Sequence, residues 1–116
     1  MADVTVWFNP KCSKCRTAQG ILEEKGVDAD YVRYLDSAPD RAELERVMAM
    51  IGTDDPVDIA RTGEARWKDL GLKGASRDAI LDAMAANPIL IERPIVIRGD
   101  RAVVGRPPER VLELLD

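Results

Sequence analysis

The chain holds two cysteines, Cys12 and Cys15, in the segment Asn9-Pro-Lys-Cys-Ser-Lys-Cys-Arg16. A cysteine acts as nucleophile or redox centre through its thiolate, and its pKa is lowered at helix N-termini, beside cations and in C-x-x-C spacings. This segment combines all of these. Lys11, Lys14 and Arg16 supply the cations, and Ala18, Ile21 and Leu22 recur at helical spacing behind Cys12, which puts both thiols at the opening of a helix. The unpaired N–H groups of a first helical turn and the positive end of its dipole favour a thiolate, and they would also seat an oxyanion. One turn therefore offers a nucleophile and an anion site together. A pair of inert buried thiols is the competing reading, and it leaves the cationic setting without a use.

The composition narrows the chemistry further. Histidine is absent, which excludes a Cys-His couple, a histidine general base and a histidine metal ligand. A structural zinc site wants four N/S ligands and one chain has two thiols, so only a dimer sharing the metal would suffice. The net charge of −4 argues against general nucleic-acid binding. No apolar run is long enough to cross a bilayer, and Met1-Ala2-Asp3 lacks the basic start of a signal peptide. A cytoplasmic monomer is expected, without nucleic-acid or membrane partners. In that compartment closely spaced cysteines are catalytic, redox-sensing or metal-binding rather than structural.

The elements that must position the thiols can be read in order. Val4, Val6, Trp7 and Phe8 form a strand that Asn9-Pro10 breaks, and the helix after Cys12 stops at Gly26. Asp30 to Leu35 reads as a second strand, so the chain opens with a βαβ unit of parallel strands and Cys12 lies at the carboxyl end of the first. Ser37 is expected to cap a helix carrying Leu44, Val47, Met48 and Ile51 and closed by Gly52. Short helices follow after Asp54-Asp55-Pro56 and over Glu64 to Leu70, and Ser76 caps another with Ile80, Leu81 and Met84 on its face, ending at Asn87-Pro88. Ile95 to Arg98 and Arg101 to Val104 flank Gly99-Asp100 as a hairpin. Gly105-Arg-Pro-Pro-Glu109 then enters a terminal helix whose Val111, Leu112, Leu114 and Leu115 pack on the sheet. The expected fold is α/β: βαβ, a helical insertion over about residues 37–87, then ββα on a four-stranded mixed sheet, all one domain over residues 1–116. Trp7 and Trp67 read as core or partner-facing residues, and Arg41, Arg46, Arg66, Arg77 and Arg110 as solvated helix faces.

With its motifs, this order resembles the glutaredoxin-dependent arsenate reductases of thioredoxin-like fold. The likeness rests on N-P-K-C-S-K-C-R at 9–16, A-R-T at 60–62 with W-K-D-L-G-L at 67–72, N-P-I-L-I-E-R-P-I-V-I at 87–97 and G-R-P-P-E at 105–109. The resemblance implies that Cys12 is the nucleophile and that Arg61, Arg93 and Arg106 surround the oxyanion and the thiolate. It also implies that Pro94 is the thioredoxin-fold proline that is usually cis and lies against the active cysteine. Asn9, Lys14, Arg16 and Pro94 are the expected substrate-binding positions. Arginine suits this task because its planar, permanently charged fork binds a tetrahedral oxyanion in a way lysine does not.

The implied reaction is attack of Cys12 on arsenate, followed by reduction of the adduct to arsenite by a small thiol and a glutaredoxin- or thioredoxin-like protein. Glutathione or mycothiol is the expected co-reductant, with no bound cofactor or metal. The chain departs from the family at Phe8, where many members carry histidine, and at Cys15, where they usually carry a small residue without a thiol. A second thiol at that spacing can resolve the adduct as an intramolecular disulfide. Spx-type redox regulators share both the fold and a C-x-x-C pair here, so control of a protein partner by a Cys12–Cys15 disulfide is the second expectation. General disulfide reduction is the third.

Overall fold

The computed structural model describes residues 3–115. The chain forms two compact units, Met1–Ser37 with Arg93–Asp116 and Ala38–Glu92. In the first unit a four-stranded sheet has the order β2-β1-β3-β4, built from β1 Val4–Phe8, β2 Ala29–Arg33, β3 Ile95–Arg98 and β4 Arg101–Val104. β1 runs parallel to β2, with Val4 opposite Ala29 and Phe8 opposite Arg33, and antiparallel to β3 on its other side. The sheet is therefore mixed, and the strand bearing the cysteine loop is central.

Strand alternation sends Val4, Val6 and Phe8 to one face of β1, where they join Ala18 and Leu22 of helix α1 (Ser13–Glu24) in a core with both cysteines. That face of α1 is fully buried at Cys15, Ala18 and Leu22, and each buried leucine-sized side chain contributes about 1.5–3 kcal/mol. Gly26 at φ 70 ends the helix as expected: its N–H donates to the Glu23 carbonyl at 3.0 Å and that of Val27 to the Leu22 carbonyl at 2.9 Å. This pair of bonds is a Schellman stop.

β2 ends earlier than the expected Leu35. The Arg33 carbonyl takes the N–H groups of Asp36 and Ser37, both at 3.0 Å, and the resulting turn buries Tyr34 completely. The last element also differs from expectation. Residues Pro108–Leu114 form a 3-10 helix, whose period of three sets Val111 and Leu114 on the buried side and leaves Leu112 37% exposed. Arg98 and Arg101, from the β3–β4 hairpin, donate to the carbonyls of Leu114 and Glu113 at 2.8 and 2.9 Å and hold the end of that helix.

The second unit is helical. It contains α2 Arg41–Ile51, a 3-10 turn Pro56–Ile59, α3 Ala65–Asp69, α4 Arg77–Ala86 and a 3-10 turn Pro88–Leu90. Ser76 caps α4 as expected, accepting from Ala79 N–H at 3.1 Å. Ser37, however, does not cap α2; Asp40 does, accepting from Glu43 N–H at 2.9 Å. Pro39 explains the shift, because a proline keeps the residue before it out of the helical region. Two arginines read as solvated faces instead join helices. Arg41 pairs with Asp78 and Asp82, and Arg77 reaches Glu45 at 2.9 Å, tying α2 to α4. Trp67 lies in the unit's interior at 6% exposure.

Candidate active site

The site is built where β1 runs out. Asn9 shapes the loop: its Oδ1 accepts from Lys11 N–H and its carbonyl from Cys12 N–H, each at 3.0 Å. This Asx turn delivers Cys12 to the N-cap of α1 in an extended conformation, φ −90 and ψ 122. The Cys12 carbonyl then opens the helix by accepting from Arg16 N–H at 3.1 Å. Its sulfur makes no regular cap hydrogen bond, but the main-chain N–H groups of Lys14 and Cys15 stabilise negative charge on it. They are the donors a serine cap would use. Lys14 thus acts through its main chain, and its side chain and that of Arg16 are exposed.

Two guanidinium groups meet the same sulfur. Arg93 hydrogen-bonds it, and Nη2 of Arg106 lies 3.7 Å from Sγ. Arg106 is fixed by its own Nε, which donates to the Arg93 carbonyl at 2.7 Å. The β3–β4 register sets Ile95 opposite Val104, and the two arginines lie just beyond its end. The Arg93–Pro94 peptide is cis, and so is Arg106–Pro107, which the sequence reading did not include. Gly105 N–H donates to the Pro94 carbonyl at 2.8 Å, closing the hairpin against the cis-proline.

The two thiols are driven apart. Burial is the largest influence on Cys12 and disfavours its charge, but the Arg93 hydrogen bond, the Cys15 N–H and thiol and the Lys14 N–H together outweigh it, bringing the thiol from 9.0 to about 7. For Cys15 burial again leads; a main-chain hydrogen bond from Asn9 opposes it, the neighbouring Cys12 adds repulsion, and the thiol rises to about 11. The first proton of the pair therefore leaves Cys12, while Cys15 stays a buried thiol beside it. Phe8 takes no part in the charge balance. It packs edge-on against Tyr31 with ring centroids 5.2 Å apart, so Arg93 and the helix start supply the activation without a histidine.

Arg93 is itself held. Burial disfavours its charge, but hydrogen bonds to Cys12 and to the buried Tyr34 raise its pKa further. Tyr34 is the site residue the sequence reading missed, its only signal being an aromatic at the end of an expected strand. Arg61 belongs to the other compact unit, where Nη1 pairs with Glu64 Oε2 at 2.9 Å and its N–H donates to the Leu90 carbonyl at 2.7 Å. Among the described residues no group of three or more Cys, Asp or Glu side chains is arranged to hold a metal ion.

The family model described as ArsC family matches residues 7–114. An arsenate reductase of Neisseria meningitidis is 39% identical, the alignment covering 99% of this chain and 100% of that protein. One from Haemophilus influenzae is 40% identical over 97% of this chain and 98% of its own. The solved structure of an arsenate reductase from Vibrio cholerae superposes with a TM-score of 0.93 at 40% identity, covering 97% of each chain. These matches support the thioredoxin-like fold and do not favour the Spx-type regulator. With a family model matched over residues 7–114 and relatives about 40% identical over nearly their whole length, the chain belongs to the ArsC family.

Proposed function

We propose that this protein reduces arsenate to arsenite by thiol chemistry. The observation that carries this reading is the Cys12 sulfur, lowered to about 7 and flanked by Arg93 and by Arg106 at 3.7 Å. The Cys12 thiolate attacks arsenic(V) and displaces one hydroxyl, which leaves as water once protonated. Solvent, lysine or a carboxylate supplies that proton, since the chain has no histidine. A second thiol then attacks the Cys12 sulfur; a disulfide forms, the sulfur–arsenic bond breaks, and arsenic keeps the electron pair and departs as arsenite.

Cys15 is the nearest candidate for that second thiol, with glutathione or mycothiol and a glutaredoxin- or thioredoxin-like protein returning the pair to the reduced state. Arg93 and Arg106 clamp the oxyanion against the helix start, Asn9 and Pro94 shape its seat, and Lys14 and Arg16 add positive charge. Arg61, which pairs with Glu64, is a catalytic arginine on the strength of the family resemblance alone. The protein works as a cytoplasmic monomer and as one thioredoxin-like domain with residues 37–87 inserted, drawing on that compartment's thiol pool.

Single-turnover thiol counting tests the reading. Reduced protein given arsenate alone should lose both thiols for each arsenite formed, and Cys15→Ser should form arsenite only when glutathione and a redoxin are added. Cys12→Ser should form none. Native protein that yields no arsenite even with the added donors would overturn the proposal.

A further inference from the structure

We propose that the helical unit Ala38–Glu92 carries a second binding site, independent of the thiols, for a small apolar carboxylate. A cavity of about 550 Å³ opens there, lined by Val57, Trp67 and Leu72 with Lys68 and Lys73 beside them. That volume falls within the range of about 300–1,000 Å³ usual for small-molecule sites.

The walls are apolar. Trp67 comes from α3, Leu72 from the loop after it, and Val57, 39% exposed, from the 3-10 turn Pro56–Ile59. Gly71 and Gly74, at φ 63 and φ 77, take the left-handed turns that bracket Leu72 and Lys73. Lys68 and Lys73 belong to the lining together with these apolar residues, so the cavity carries positive charge. Among the described residues no carboxylate lines the cavity, although acidic residues outnumber basic ones in the chain by 21 to 17. Neither lysine has an ion-pair partner among the described residues. The fitting occupant is an aliphatic or aromatic monoacid, its body against Trp67 and Leu72 and its carboxylate toward Lys68 and Lys73, with the Thr62 hydroxyl in the lining as a further donor.

The test follows the indole N–H resonances of the two tryptophans in the full, isotope-labelled protein as octanoate is added, with octanol as the neutral comparator. The Trp67 resonance should shift saturably with octanoate and not with octanol, and Trp7, in β1 of the other compact unit, should stay in place. Lys68→Glu with Lys73→Glu should weaken octanoate binding at least tenfold without moving the Trp7 resonance, and Cys12→Ser should leave binding unchanged. A Trp67 resonance that does not saturate, an equal response to octanol, or affinity unaltered by the double substitution would overturn the proposal.

Discussion

At the scale of the residue, the chemistry depends on which of two thiols ionises. Cys12 receives hydrogen bonds from Arg93 and from the helix start, whereas Cys15 lies fully buried and beside a charge that forms first. Alkylation by iodoacetamide should therefore modify Cys12 alone near neutral pH. Raising the pH through about 7 removes its proton, so the rate should climb across that range and level off above it. Arg93→Ala removes the largest influence that favours the thiolate. A charge-assisted hydrogen bond is worth about 1.5–3 kcal/mol, and a pKa unit about 1.4 kcal/mol, so the midpoint should rise by about one to two units. A midpoint unmoved in that variant would mean that the helix start alone sets the acidity.

At the scale of the element, the β3–β4 hairpin is the part that presents the arginines. Gly105 sits against the cis-proline, and a Cβ there would meet Pro94 Cγ at 2.8 Å, with the Pro94 carbonyl and Val111 Cγ1 both at 3.4 Å. Neither a proline ring nor a main-chain carbonyl yields easily. Gly105→Ala should cost about 1–3 kcal/mol in urea unfolding, and should raise the Cys12 alkylation midpoint because Arg106 is the next residue. In the helical unit, Asp40→Ala removes the α2 cap and should cost about 1 kcal/mol, while the Cys12 midpoint stays at about 7.

The same elements show what the sequence made legible. Gly99-Asp100 fixed the hairpin register in advance, and extending that register carries Arg93 to a place opposite Arg106, so the arginine pair could be read before any coordinates. Asp40 could have been found too, because an Asp three residues before Glu43 is a capping pattern, whereas Ser37 is separated from the helix by Pro39. The terminal 3-10 helix was harder. Val111, Leu112, Leu114 and Leu115 fit a helix of either pitch, and only the burial of Val111 and Leu114 with exposure of Leu112 separates them. Tyr34 carried only the weak signal of an aromatic near the end of an expected strand, because its part depends on the turn that follows β2.

At the scale of the whole molecule, the central strand, the helix it feeds and the hairpin beside it converge on one sulfur. The ArsC family membership, the fold and the thiol acidity all point to the same chemistry. The most direct test of the central claim is arsenate-dependent NADPH oxidation, with glutathione and glutaredoxin or with thioredoxin and its reductase, as a function of pH. kcat/KM should rise through about 7, reporting the free-enzyme Cys12 thiol, Cys12→Ser should abolish turnover, and Arg93→Ala should shift the profile upward. Turnover that survives in Cys12→Ser would contradict the account. So would its absence with every donor from native protein whose two thiols still form a reversible disulfide.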